Sequence, residues 1–217
     1  MGEWSGGPLA DEHAPARRVD SRTRFEGHVW DVRTDTVELA DGQTVVRDVI
    51  AHTGAVGVIA LDEHDRVLLI RQYRHPVGMM LWEPPAGLLD IAGEDPLHAV
   101  QRELFEETGH RAETWHVLVD FFNSPGGSDE AFRCYLARGV WLDEESERDL
   151  GHGEERDMPY TWLPLDQARD LVLAGRLHNP AAVAGVLAAW VSRAEGWTSL
   201  RPADTAWPER PGGSSPG

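Results

Sequence analysis

Apolar and polar residues mix in short blocks through "VWDVRTDTVEL" (29–39) and again through "QTVVRDVIAH" (43–52), with the turn-forming "ADGQ" (40–43) between them. Two such stretches joined by a turn signal predict two strands of an antiparallel pair. The pattern then changes. In "GAVGVIALDEHDRVLLIRQYR" (54–74) the apolar runs Val56 to Leu61 and Val67 to Ile70 are nearly continuous around a "DEHD" turn. Two strands covered on both faces are expected there. Next, Leu97, Val100, Leu104 and Thr108 recur at helical spacing, which predicts a helix from about Asp95 with this stripe toward the core. Pro96 suits its first turn, Glu94 and Asp95 suit the positive end of its dipole, and Gly109 suits its exit.

Further on, "TWHVLVDFF" (114–122) and "EAFRCYLARGV" (130–140) read as strands flanking the loop "NSPGGSDE" (123–130). A short strand at "PYTWLPL" (159–165) leads into a helix at about Leu165 to Ala174. A last helix opens at Asn179, a natural cap, with Pro180 in its first position. Strands, then a helix, then strands and helices, give a mixed α/β layered domain. Residues 1–16 read as a poorly ordered leader, 17–52 as an N-terminal antiparallel strand subdomain, 53–200 as the main domain and 201–217 as a tail.

Charge sharpens this picture. The chain has a formal charge of −17 and no lysine, so bulk attraction to a nucleic-acid backbone is not expected. An anionic ligand would have to be held by local arginines or by metal ions. The single cysteine, Cys134, rules out an internal disulfide and a cysteine-based zinc cluster, and its alternating surroundings predict a buried, inert thiol. No membrane span and no signal-peptide pattern is expected, which points to the cytoplasm.

The predicted helix carries Glu103, Glu106 and Glu107 on adjoining positions. Like charges three or four residues apart repel. An acidic face is ordinarily just solvated, but this one follows the glycine-containing "PPAGLLDIAG" loop (84–93), whose backbone can approach the same place. Carboxylates with nearby carbonyls are the donor set of a hard divalent cation such as Mg²⁺, which keeps waters that a phosphate can replace.

The run Glu94, seven residues, then "RELFEETG" (102–109) resembles the Nudix box, Gly-x5-Glu-x7-Arg-Glu-U-x-Glu-Glu-x-Gly-U, where U is bulky and aliphatic. Every charged position is present. Two positions depart: six residues rather than five separate Gly87 from Glu94, and the final U is His110. The stretch from Gly54 to Gly87 resembles the lead-in of the ADP-ribose pyrophosphatase branch, with Pro84 where that branch has leucine. Pro125, sixteen residues past Gly109, matches the proline that marks the branch, and "RPADTAWPERP" (201–211) is similar to actinobacterial members.

The resemblance implies an α/β/α sandwich with a central mixed sheet, and N-terminal antiparallel strands used in dimerisation. It implies Mg²⁺-dependent hydrolysis of ADP-ribose to AMP and ribose 5-phosphate, with Mn²⁺ as a substitute and two or three ions. Metal ligation falls on Glu103 and Glu107 with the main-chain carbonyl of Ala86, and Glu106 either shares a water or ion or orients through Arg102. The base that activates water falls in "DLGHGEERDMPY" (149–160), on Glu155 or Glu154. Arg47, Arg71 and Arg74 are expected at phosphates, Glu130 at ribose hydroxyls and Trp30 on adenine, with Arg47 or Trp30 acting across a homodimer. Two alternatives stay open: a hydrolase for another nucleoside diphosphate sugar, and a non-catalytic ADP-ribose sensor, which the intact set of box acids disfavours.

Overall fold

Alternation along one strand explains the layering. In the computed structural model, which describes residues 6–7, 9–143 and 158–210, strand β4 (Ala55–Leu61) is buried along its whole length. Ala55, Ile59 and Leu61 enter one apolar cluster and Val56, Val58 and Ala60 the other. A continuous apolar run is therefore a strand with helices on both faces, as its composition predicts.

The chain forms two compact units, Met1–His52 and Thr53–Gly217. The first is a three-stranded antiparallel sheet, β1 (Arg17–Phe25), β2 (Asp31–Glu38) and β3 (Thr44–Ala51), in that order. The β2–β3 turn is closed by the Leu39 amide on the Gln43 carbonyl at 2.8 Å, with Gly42 at φ 83°. The sequence around the "ADGQ" turn predicts two strands here, and the structure adds a third, β1. Its nine residues "RRVDSRTRF" are all exposed, so no apolar period announces it. Within this unit Asp35 is buried. Burial alone would raise its pKa, but hydrogen bonds from Ser21 and Arg33 outweigh that and hold the carboxyl below its ordinary value.

The second unit is built on an eight-stranded mixed sheet. Besides β4 it contains β5 (Arg66–Arg74), β6 (Met79–Glu83), β7 (Ala86–Leu88), β8 (His110–Phe122), β9 (Ala131–Leu142), β10 (Tyr160–Pro164) and β11 (Arg201–Pro202). The order is β10-β5-β4-β9-β8-β11, with β6 on β5 and β7 on β4; β4 and β9 run parallel and the other pairs antiparallel. Helix α1 (Pro96–Thr108) covers the Val56 face through Ala99, Val100 and Leu104. Helices α2 (Leu165–Leu173) and α3 (Pro180–Ala194) cover the Ile59 face. Gly185 lets α3 lie close on the sheet: a Cβ there would stand 2.8 Å from Ile59 Cδ1 and 3.1 Å from Cys134 Sγ. Cys134 is fully buried, and burial pushes its thiol up to about 12.

Asn179 caps α3 and Gly109 ends α1 as the sequence predicts, and Asp95, expected only to suit the helix dipole, is the cap of α1. Asp95 accepts from the Leu97 amide at 2.8 Å, and Asn179 accepts from the Ala182 amide at 2.9 Å. Gly109 leaves α1 at φ 72°. Residues 201–210, read from sequence as the start of a tail, are held in place. Arg133, almost fully buried, pairs with Asp120, donates to the carbonyls of Thr205 and Ala206, and lies 4.7 Å from the Trp207 ring. Among the described residues no helix is long and apolar enough to cross a membrane.

Candidate metal and diphosphate site

Strand β7 begins at Ala86 and pairs with the start of β4, Gly57 facing Ala86 and Val56 facing Gly87. This brings Ala86 and Gly87 against the acidic side of α1. The Glu107 carboxylate accepts from the Ala86 amide at 3.0 Å. Glu103 lies directly over Gly87. A Cβ on Gly87 would stand 2.0 Å from Glu103 Oε1 and 2.1 Å from its Cδ, so the hydrogen side chain is what leaves room for the carboxylate.

Arg102 organises the remaining acids. It donates to Glu94 at 3.0 and 3.1 Å, to Glu103 at 2.8 Å and to Glu106 at 2.9 Å. The bonds to Glu94 are the main reason that Arg102 is held above the ordinary arginine value, and the same bonds hold Glu94 below the ordinary carboxylate range. Repulsion within the acidic helix is thus partly relieved by one guanidinium. Among the described residues no three acidic or histidine side chains are gathered around a common ligating point. The carboxylates are turned to Arg102 and to the Ala86 amide instead. The donor set still suits a hard divalent cation: it consists of carboxylate oxygens beside a main-chain loop, with Gly87 opening the space Glu103 occupies.

Both departures of the box are absorbed locally. The extra loop residue is taken up by a turn in which the Glu94 amide donates to the Ile91 carbonyl at 3.1 Å, with Gly93 at φ 79°. His110 fills the aliphatic position as a buried ring, edge-on to Tyr160 and Trp162 at 5.5 Å each, its Nδ1 2.9 Å from the Thr108 carbonyl.

The arginines divide. Arg74, at the end of β5, forks onto Glu83 of β6: Nε to Oε1 at 2.9 Å and Nη2 to Oε2 at 2.6 Å. These bonds raise Arg74 above its ordinary value despite its burial, and the charge of Glu107 adds to the effect. Glu83, 2% exposed, is a site residue that the sequence reading missed; its one signal is an acid inside the otherwise apolar "MMLWEPPAG" run. Arg71 is exposed and lies 5.8 Å from the Trp82 ring. Glu130, at the end of the Pro125 loop, is half-buried and accepts from the Asn123 side-chain amide at 2.8 Å.

Trp30 and Arg47 belong to the first unit. Trp30 stacks on His52 at 5.6 Å, and the Arg47 guanidinium donates to the Val46 carbonyl at 2.9 Å. Glu154 and Glu155 lie outside the described residues. A cavity of about 510 Å³, lined by Asp62, Arg66, His110, Glu113, Trp141 and Trp162, sits at the Leu61 end of β4, away from Ala86 and Gly87. None of the residues expected at the metal or the substrate lines it.

Comparison with known proteins places the chain in a family. The NUDIX domain model matches residues 51–184. The chain is 44% identical over 193 residues to an ADP-ribose pyrophosphatase of Mycobacterium tuberculosis, covering 89% of this chain and 91% of the relative. It is 36% identical to a methanol dehydrogenase activator of Bacillus methanolicus, covering 78% and 90%, and 36% identical to an ADP-ribose pyrophosphatase of Bacillus subtilis, covering 71% and 82%. The fold is shared with a solved ADP compounds hydrolase at a TM-score of 0.69 and 20% identity, over 86% of this chain and 99% of that one. The box, the carboxylate helix seated on its glycine loop and the match of the family model lead to one conclusion: this chain belongs to the Nudix family.

Proposed function

We propose that this Nudix chain hydrolyses ADP-ribose to AMP and ribose 5-phosphate. The observation that carries the reading is the seating of Glu103 over Gly87 and of Glu107 on the Ala86 amide, two carboxylates converging on one loop. The names of the two ADP-ribose pyrophosphatases among its relatives support the choice of substrate.

Glu103, Glu106 and Glu107, with the main-chain carbonyl of Ala86, would hold two or three Mg²⁺ or Mn²⁺ ions. Such ions neutralise diphosphate charge and acidify the attacking water. Arg102 offsets the repulsion between the carboxylates of Glu103 and Glu106 and holds Glu106 in reach. Arg74 and Arg71 supply N–H donors to phosphoryl oxygens, a role to which the planar guanidinium is suited. Glu130 accepts from ribose hydroxyls, and Trp30 stacks on the adenine. Glu155, with Glu154 as the neighbouring candidate, takes the proton of the attacking water.

The protein is further read as a cytoplasmic homodimer in which Arg47 and Trp30 serve the partner's site. Supporting this, Phe25, Val29, Trp30, Val46 and Ile50 of the first unit are all exposed, a poor state for so many apolar side chains in one small unit. Relatives named GDP-mannose pyrophosphatase, at 30% identity, keep a second nucleoside diphosphate sugar in play. The test is a panel of nucleoside diphosphate compounds incubated with Mg²⁺ and resolved by chromatography. ADP-ribose should be consumed fastest, giving AMP and ribose 5-phosphate; faster turnover of GDP-mannose would assign the other substrate.

A further inference from the structure

Glu83 is nearly fully buried, and among the described residues its carboxylate accepts hydrogen bonds from Arg74 alone, through three contacts of 2.9, 3.2 and 2.6 Å. A buried ion pair is a poor stabiliser, because desolvation offsets most of its attraction and an apolar pair of equal volume often does as well. This one has an asymmetry that a purely structural pair does not need. The Glu83 side chain is 2% exposed and that of Arg74 is 42% exposed. Both bonded nitrogens, Nε and Nη2, lie on the inner edge of the guanidinium, and Nη1 donates to no described residue. Arg74 also lies within electrostatic reach of Glu107.

Two demands conflict at such a place. A diphosphate wants an arginine fork, but a bare guanidinium beside a divalent cation repels it. We propose that Glu83 is a positioning residue that resolves the conflict: it fixes Arg74 edge-on beside Glu107 and cancels its charge. One arginine can then bind a phosphoryl oxygen without weakening cation binding at the neighbouring carboxylates. The inference rests on the reading of this site as a metal-dependent diphosphate site.

The test measures Mn²⁺ binding to the full chain, from the electron paramagnetic resonance signal of free Mn²⁺, alongside KM and kcat for ADP-ribose and the thermal midpoint. Glu83→Gln should remain folded, bind Mn²⁺ roughly tenfold more weakly, since Arg74 is left uncompensated, and show a raised KM. The double variant Glu83→Gln/Arg74→Met should recover Mn²⁺ affinity close to wild type while KM stays high. Glu83→Asp, which keeps the charge but shortens the reach, should hold Mn²⁺ affinity and raise KM, and it decides the matter if Glu83→Gln fails to fold. Unchanged Mn²⁺ affinity in folded Glu83→Gln would overturn the inference, as would a double variant no better than the single or an Asp variant that loses Mn²⁺. Wild-type protein that takes up no Mn²⁺ would sink the underlying reading and this inference together.

Discussion

Gly87 makes the sharpest demand at the level of single residues. Its φ is not in the left-handed region, so alanine suits its backbone, yet the added Cβ would land on the Glu103 carboxylate. That carboxylate is the movable end of a side chain, so it would swing away rather than break the fold. Gly87→Ala is therefore expected to keep its thermal midpoint within a few degrees while kcat falls about 100-fold, the scale on which a displaced catalytic group acts. Equal losses of stability and activity would make Gly87 a packing residue. The Glu94–Arg102 pair sets a pH dependence. The Glu94 carboxyl is below its ordinary 4.5 in the folded chain, so the pair contributes fully above that value. Its contribution disappears as pH falls through the lower folded value. Thermal midpoints of wild type and Glu94→Gln should differ at neutral pH and converge well below pH 4.5; a gap that persists in acid would contradict the assignment.

Elements differ in how openly the chain announces them, and the difference is physical. Strand β4 and helices α1 and α3 are legible because burial on both faces, or on one helical stripe, demands apolar residues at fixed spacing, with Asp95, Asn179 and Gly109 marking the ends. Strand β1 is not, because none of its residues is buried and so nothing constrains their polarity. Strands β6 and β7 are short and separated by Pro84 and Pro85, which read as a loop. The packing of α3 yields its own prediction. Alanine at Gly185 would improve helix propensity by about 1 kcal/mol, but its Cβ, 2.8 Å from Ile59, would already force a shift, and a larger side chain still more. Gly185→Val should destabilise by about 1–3 kcal/mol in urea unfolding, the usual cost of overpacking a filled core. A neutral result would mean that α3 can shift off the sheet.

For the molecule as a whole, the carboxylate helix and its loop were readable because metal chemistry fixes residue types and spacing together. Glu83 was not readable, since its role depends on which side chain folding sets opposite it. The arginines at positions 47, 71 and 74 look alike in sequence, and only the structure separates Arg74, paired and half-buried, from Arg71 beside Trp82 and Arg47 on its own strand. On the proposed reading, a chain of charge −17 would meet a doubly charged diphosphate through bound divalent cations. That is the claim on which the functional reading stands. Its most direct test is Mn²⁺ uptake by the purified protein, compared with the Glu103→Gln/Glu107→Gln double variant at matched folding. Saturable uptake by wild type that is lost in the folded variant is the expected result. No uptake by wild type, or equal uptake by both, would contradict the account.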